Sequence, residues 1–155
     1  MPPPILLVED DDDDLALTLQ ALAKTTLENE IVTVRDGEQA LAYLFCKDAY
    51  ATRPAGNPAV VLLDLRLPKI DGLQVLEHIK SHPDLKAIPV VMLTGSNLTD
   101  DLARAYKLNA NAYVVKPTDL TEYSNAVREL GAFWGVFNEP PPGARCSKFR
   151  PKPAT

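Results

Sequence analysis

The sequence predicts an α/β fold with a five-stranded parallel sheet in the order 2-1-3-4-5 and helices on both faces. Two observations lead to it. Short apolar runs of the kind found in buried parallel strands alternate with segments whose apolar residues recur at helical spacing. This alternation occurs five times, which implies parallel strands joined by right-handed crossovers. The strand order is inferred from the number of units, because periodicity alone does not determine it.

The predicted strands are short segments rich in Val, Ile and Leu. Because they lack a regular polar alternation, they are typical of strands that are buried on both faces of a sheet. They are Ile5–Val8, Ile31–Val34, Val60–Leu63, Pro89–Thr94 and Ala112–Lys116.

The predicted helices carry their apolar residues on one face. In the first helix these apolar residues are Leu15, Leu19 and Leu22. The third helix is predicted to end before Pro83, because proline cannot continue a helix. The remaining helical segments are Glu38–Cys46, Asp71–Ser81, Thr99–Leu108 and a last helix with Leu120, Tyr123, Val127 and Leu130, extended by Phe133, Trp134 and Phe137.

The 155 residues fit one domain, which we expect to cover residues 1–137. Within it, Lys47–Pro58 contains prolines and a glycine and is predicted to be a long surface loop. Residues 138–155 are rich in proline and lack periodicity, so they are predicted to form an extended or disordered tail. The 18 residues after Phe137 are too few for a helix-turn-helix domain.

Composition limits the classes of partner. The net charge of −5 argues against DNA or an anionic membrane as the main partner. No apolar run approaches the roughly 20 residues of a membrane span, and the N-terminus does not resemble a signal peptide. We therefore expect a cytoplasmic protein. Its two cysteines, Cys46 and Cys146, are expected to be free thiols, although a disulfide between them stays open.

Chemistry is expected where the strands end, because ligands of open parallel sheets bind outside the carboxyl ends of the strands. Glu9 and Asp10 follow the first strand, Asp64 ends the third, Thr94 the fourth and Lys116 the fifth. Clustered carboxylates repel one another, and a hard cation such as Mg²⁺, which prefers oxygen ligands, would relieve this repulsion. A carboxylate nucleophile beside a metal, an ammonium and a hydroxyl suits phosphoryl transfer.

Four segments then resemble the signature segments of CheY-like response-regulator receiver domains. The separations, 30 residues from Asp64 to Thr94 and 22 from Thr94 to Lys116, also match that pattern. The resemblance extends from Ile5 to about Phe137. The four segments are Val8–Asp10, Leu63–Gly72, Leu93–Gly95 and Val115–Pro117.

The resemblance implies a role for each site residue. Asp64 would be the phosphoacceptor, and Thr94 and Lys116 would bind the phosphoryl group, with Thr94 also responding to it. Tyr113 falls at the aromatic switch position, although an ordinary half-buried aromatic is an equal alternative. A cis peptide bond is common before the proline at Pro117. The implied Mg²⁺ ligands are Asp10 directly, Glu9 mostly through water, Asp64, and the backbone carbonyl of Arg66.

Asp11 to Asp14 are expected to be no more than a solvated acidic start of the first helix.

Two rival functions are each disfavoured by one feature of the sequence. A phosphatase with an aspartate nucleophile needs a second aspartate two residues later, where this chain has Arg66. A flavodoxin-like cofactor carrier needs a phosphate-binding loop after the first strand, where this chain has six consecutive acidic residues.

The 54 residues from Asp10 to Asp64 exceed the separation in compact receivers, and the surplus falls in the loop Lys47–Pro58, which is therefore an insertion. This insertion and the Phe133-Trp134 pair resemble single-domain regulators of phytochrome-type histidine kinases. That resemblance implies a sensor histidine kinase as partner, such as a bacteriophytochrome, and a downstream phosphorelay protein or target. Phe133, Trp134 and Phe137 lie beyond the apolar stripe of the last helix and would form an exposed patch. We therefore expect a homodimer through the fourth and fifth strand-helix units, with coverage of the patch by the tail as the alternative.

Overall fold

A computed structural model describes residues 2–142 and contains the predicted sheet. All strand pairs are parallel, and the order is β2-β1-β3-β4-β5, as predicted. Strand β1, which lies between β2 and β3, aligns Ile5 with Ile31 of β2 and with Val60 of β3, so these strands start level and end at one edge. The strands are β1 Ile5–Val8, β2 Ile31–Val34, β3 Val60–Leu63, β4 Val90–Thr94 and β5 Ala112–Val115.

Aspartate side chains cap the starts of four of the five α-helices in residues 2–142. The carboxylates of Asp11, Asp36, Asp71 and Asp119 each accept a hydrogen bond from the backbone N–H three residues later. Each cap pairs one of the N–H groups that a helix start leaves without a partner. The helices are α1 Asp12–Ala23, α2 Gly37–Leu44, α3 Gly72–Ser81, α4 Thr99–Lys107 and α5 Leu120–Gly131.

The core lies on both faces of the sheet. Because side chains alternate along a strand, Ile5 and Leu7 face one side and Leu6 and Val8 the other. Helices α1 and α5 pack together, and α3 contacts both α2 and α4. The three-layer arrangement leaves the carboxyl ends of the strands open for a site.

Most predicted element ends differ from the structure by no more than one residue, and two differences at helix ends are larger or change the type of helix. The second helix ends at Leu44 rather than Cys46, because Cys46 adopts a left-handed conformation with φ of 54° that cannot continue a helix. The last helix continues as a π-helical segment, Ala132–Phe137. There the side chain of Trp134 is partly buried against the β1 and β3 side chains, while those of Phe133 and Phe137 are exposed.

The inserted loop is fastened to α2. The Arg53 guanidinium donates to the backbone carbonyls of Tyr43, Pro54 and Gly56, and it lies 4.2 Å from the centre of the Tyr43 ring. These contacts hold the insertion against α2, away from the carboxyl ends of the strands.

The expectation of free thiols is wrong at Cys46, which is buried and disulfide-bonded. Spacing along the chain carries no information on whether distant cysteines meet, so composition could not predict this. Cys146 lies outside the described residues, as does the predicted tail from residue 143 onward. Among the helices of residues 2–142, none has the length and apolar character needed to cross a membrane.

Candidate functional site

The predicted site residues meet at the carboxyl edge of the sheet. Lys116, which follows β5, places its Nζ atom 2.5 Å from Glu9 Oε1 and 3.1 Å from Asp64 Oδ2. Thr94, the last residue of β4, is almost fully buried, and its side chain helps to lower the pKa of Asp64. Residues from four different strand ends therefore form one polar cluster.

Backbone hydrogen bonds fix this cluster by continuing the sheet one residue past the strands. Glu9 donates its N–H to the Val34 carbonyl at 3.1 Å, and Asp64 donates to Val8 at 3.2 Å. The Lys116 N–H donates to the Thr94 carbonyl at 2.7 Å. The side chains thus project from paired backbone rather than from free loops.

Helix α3 begins directly against the Asp64 loop. The Gly72 N–H donates to the Leu65 carbonyl at 2.9 Å, and a Cβ atom at Gly72 would lie 2.1 Å from the Asp64 carbonyl oxygen. Only glycine allows the helix to approach the phosphoacceptor candidate so closely, which explains the glycine at the end of the segment Leu63–Gly72.

Three carboxylates form an all-oxygen cluster. One oxygen from each of Glu9, Asp10 and Asp64 lies within 4.8 Å of the others. Glu9 and Asp64 are buried and Asp10 is exposed, so the cluster opens to solvent on one side. This donor set fits a hard divalent cation, which takes carboxylate oxygens and retains waters.

Arg66 lies next to this cluster, with its N–H 3.4 Å from Asp64 Oδ1. Its carbonyl as a metal ligand stays a prediction. The Arg66 side chain extends toward α4 and donates to Asp101 Oδ2 at 3.1 Å.

The carboxylates differ in proton affinity. Burial, with a hydrogen bond to Asp64, raises the pKa of Glu9 to about 8. Burial acts on Asp64 in the same direction, but hydrogen bonds from Glu9, Lys116 and Thr94 outweigh it and hold the Asp64 pKa below its ordinary value. Of the two buried carboxyl groups, Asp64 therefore loses its proton more readily, which suits a nucleophile.

Asp14 belongs to the site, and the prediction that it is merely solvated is wrong. Its Oδ2 atom accepts a hydrogen bond from Lys116 Nζ at 2.8 Å. Burial alone would lower the Lys116 pKa, but the bonds with Asp14 and Glu9 outweigh burial and raise it. The available signal was position, because Asp14 lies in the first turn of α1, where side chains point back toward the helix start and the strand ends.

Tyr113 is half-buried, and its hydroxyl donates to the backbone carbonyl of Ser96 at 2.9 Å. Ser96 in turn donates its hydroxyl to Asp101 at 2.6 Å, on the same oxygen that Arg66 contacts. Sequence reasoning missed Ser96 and Asp101, which link the loops after β3 and β4 to α4. No cis peptide bond occurs in residues 2–142, so the bond before Pro117 is trans.

The site therefore combines an ionised buried aspartate at the end of β3 with a lysine, a hydroxyl and an acidic cluster, all at the edge of a 2-1-3-4-5 sheet. This combination defines the receiver class of signalling domains. The chain belongs to the response regulator receiver domain family, whose match covers residues 5–128.

Three relatives agree with this assignment. Response regulator Rcp1 of Synechocystis sp. is 42% identical over 121 residues, covering 78% of this chain and 81% of Rcp1. The Mn²⁺-bound form of Rcp1 has a TM-score of 0.86 at 40% identity, covering 91% of this chain and 100% of that chain.

The phosphorylated cyanobacterial phytochrome response regulator RcpA has a TM-score of 0.85 at 42% identity, covering 92% of this chain and 100% of that chain. The bacteriophytochrome response regulator RtBRR is 53% identical with a TM-score of 0.74, covering 93% of this chain and 87% of that chain. The predicted fold and the predicted similarity to phytochrome response regulators are thus confirmed.

Proposed function

We propose that this chain is a single-domain response regulator that accepts a phosphoryl group from a histidine kinase on Asp64, with Mg²⁺, and thereby switches its protein contacts. The observation that carries the proposal is the contact of the buried, ionised Asp64 carboxylate with Lys116 at 3.1 Å. The proposed receiver domain covers residues 1–137, and residues 138–155 form its tail.

In the proposed reaction an Asp64 carboxylate oxygen forms a bond to phosphorus. The bond between phosphorus and the histidine nitrogen of the donor breaks, and its electron pair stays on that nitrogen. The Lys116 ammonium pairs with a phosphoryl oxygen, and the Thr94 hydroxyl hydrogen-bonds to another. These groups are preorganised by the sheet edge, so they stabilise the charge of the transferring group without large rearrangement.

Glu9, Asp10, Asp64 and the backbone carbonyl of Arg66 would hold the Mg²⁺ ion. When bound, Mg²⁺ supplies positive charge that lets the anionic carboxylate approach an anionic donor. The Mn²⁺-bound structure of the relative Rcp1 supports a divalent cation in this family. The same residues would assist hydrolysis of the aspartyl phosphate, so the protein would be a phosphoacceptor rather than an enzyme with a separate substrate.

The proposed donor is a sensor histidine kinase of the bacteriophytochrome type, because the relatives RcpA and RtBRR are phytochrome response regulators. We propose the cytoplasm as the compartment in which this exchange takes place. Thr94 and Tyr113 would transmit phosphorylation to the α4–β5 side, where the Tyr113 hydroxyl holds Ser96. Output would then pass to a downstream phosphorelay protein or another protein target.

We also propose a homodimer. Phe133, Val136 and Phe137, here called the C-terminal apolar patch, are 51%, 48% and 76% exposed. Exposed aromatic side chains of this size anchor interfaces. Leu120 and Tyr106, on the fifth and fourth units, are also exposed. Trp134 packs against the sheet, so it supports the patch from below and contacts Phe133 edge-on at 5.0 Å.

Phosphorylation of Asp64 is tested with a small phosphodonor and Mg²⁺. Intact-protein mass spectrometry should show one added phosphoryl group on the parent and none on Asp64→Asn. Asp100→Asn, which removes an exposed carboxylate from α4, is the matched control and should behave like the parent. Equal modification of Asp64→Asn would refute the assignment.

A further inference from the structure

Lys116 has three carboxylate partners, and one of them lies outside the acidic cluster. Its Nζ atom is 2.5 Å from Glu9, 2.8 Å from Asp14 and 3.1 Å from Asp64. Glu9 and Asp64 are also candidate ligands of a cation, whereas Asp14 is not part of that cluster. Glu9 and Asp64 could therefore bind either the lysine or a metal ion, whereas Asp14 pairs with the lysine and is not a candidate metal ligand.

The position of Asp14 is fixed by α1. Its backbone N–H donates to the N-cap carboxylate of Asp11 at 2.8 Å. One turn further on, the Thr18 hydroxyl forms a buried 2.6 Å hydrogen bond with the Tyr123 hydroxyl of α5. The first turn of α1 is thus held at the sheet edge, and the Asp14 carboxylate with it.

The other acidic residues of this turn have different surroundings. Asp11 caps the helix, and Asp12 pairs with Arg35. Asp13 is exposed. Among these four residues, Asp14 alone has an ion pair with Lys116 in the described structure, although all four carry the same charge.

We infer that Asp14 is a positioning residue that holds the Lys116 ammonium at the border of the acidic cluster, so that the lysine and a divalent cation occupy the site together. The inference rests on the proposed function, in which both positive groups act on the phosphoryl group.

The physical reason is competition for carboxylates. The Lys116 side chain is only 9% exposed, so its ammonium needs carboxylate partners in place of water. Without Asp14 those partners are Glu9 and Asp64 alone, and the ammonium then opposes a cation on the same two groups. With Asp14, whose side chain is 36% exposed, the ammonium retains a partner while Glu9 and Asp64 turn to the cation.

The test is a double-mutant cycle on Mg²⁺ affinity, measured by calorimetry with the metal alone. Asp14→Asn should weaken Mg²⁺ binding by roughly threefold to tenfold, which lies within the range of coupling between contacting groups. Asp13→Asn removes the same charge from the same turn and should weaken binding far less, because exposed charges are screened. In a Lys116→Ala background, Asp14→Asn should have no larger effect than Asp13→Asn.

The inference is overturned if Asp14→Asn and Asp13→Asn weaken binding equally in the parent background. It is also overturned if the Asp14→Asn effect persists unchanged without Lys116, since Asp14 would then act on the cation by charge alone. Thermal unfolding of each variant checks that the fold is retained. A folded parent that binds no Mg²⁺ would instead refute the proposed metal site, and the inference with it.

Discussion

The hydroxyl oxygens of Thr18 and Tyr123 lie 2.6 Å apart in the buried contact between α1 and α5. Removing one partner of a buried hydrogen bond leaves the other unsatisfied, which costs about 1–3 kcal/mol. We therefore expect Tyr123→Phe to lower the free energy of unfolding by that amount in urea denaturation. Adding Thr18→Val to Tyr123→Phe removes the orphaned hydroxyl, so the double variant should lose less than the sum of the single variants. Strict additivity would contradict the bond.

Lys116→Ala should separate metal binding from phosphorylation. The Lys116 ammonium contacts Glu9 and Asp64, so its removal takes a competing cation away from two candidate Mg²⁺ ligands. We expect Mg²⁺ affinity to be retained or to rise, and the phosphorylation rate with a small phosphodonor to fall. The exposed Lys86→Ala, which removes the same charge elsewhere, should leave both quantities unchanged. Loss of Mg²⁺ binding in Lys116→Ala would contradict the arrangement.

Asp10→Asn should act on metal binding itself. Asp10 is the exposed member of the acidic cluster, so its substitution removes a ligand charge without leaving a buried cavity. Mg²⁺ affinity and phosphorylation rate should fall together, measured by calorimetry and by the mass of the intact protein. The neighbouring Asp13→Asn is the control for the loss of one charge. Identical Mg²⁺ titrations for Asp10→Asn and the parent would exclude Asp10 as a ligand.

Metal removal should make stability depend on Glu9. Burial raises the pKa of Glu9 in the folded protein to about 8, from an ordinary value of 4.5. The protonated form is therefore favoured on folding, and this contribution is complete below pH 4.5 and is lost as the pH rises through 8. With a chelator present, the free energy of unfolding should fall across this window, relative to Glu9→Gln. Mg²⁺ should reduce the fall, because it stabilises the ionised carboxylates.

Asp64 does not obscure that measurement. Its folded-state pKa is lowered, so the stability it contributes is present above its ordinary value of 3.8 and is lost only at lower pH. Urea denaturation of the parent and of Glu9→Gln between pH 4.5 and pH 8 therefore isolates Glu9. Parallel curves for the two proteins in chelator would show that Glu9 ionises normally.

Dimer formation should depend on the C-terminal apolar patch. Phe137→Glu places a charge on the most exposed aromatic of the patch, and we expect a monomer in sedimentation with phosphorylation retained. Trp134→Glu is a poorer probe, because Trp134 packs against the core and its replacement would also destabilise the fold. His78→Glu, on the exposed face of α3, is the control. A parent that sediments as a monomer at micromolar concentration, phosphorylated or not, would favour the tail as the cover of this patch.

The Leu63–Gly72 segment shows how far sequence could reach. The apolar run before Asp64 identified a buried strand, and the unit count led to the correct strand order, which together place Asp64 at the switch between β1 and β3. Glu9, Thr94 and Lys116 end or follow other strands of the sheet. They had to lie near Asp64, because parallel strands end at a common edge. The contact distances, however, depend on side-chain conformations that no spacing contains.

Sequence reasoning failed where nearby residues of similar chemistry have different environments in the structure. Asp13 and Asp14 are adjacent and chemically equal, yet one is exposed and the other pairs with Lys116, which is distant along the chain. Trp134 was grouped with Phe133 and Phe137, but the π-helical continuation of α5 turns it toward the sheet. These outcomes depend on the rotation of a helix about its axis, which packing decides.

The sequence by itself determined the α/β class, the five-unit alternation and the residues that end each strand, because local apolar patterns and strand ends are properties of short segments. The tertiary structure alone decided that Lys116 bonds to Asp14 as well as to Glu9 and Asp64, and that Tyr113 holds Ser96. It also decided the proton affinities of Glu9 and Asp64, since burial and neighbouring charges set them. Such contacts join residues far apart in the chain, and only the packing of α1, α4 and α5 on the sheet brings them within hydrogen-bonding distance.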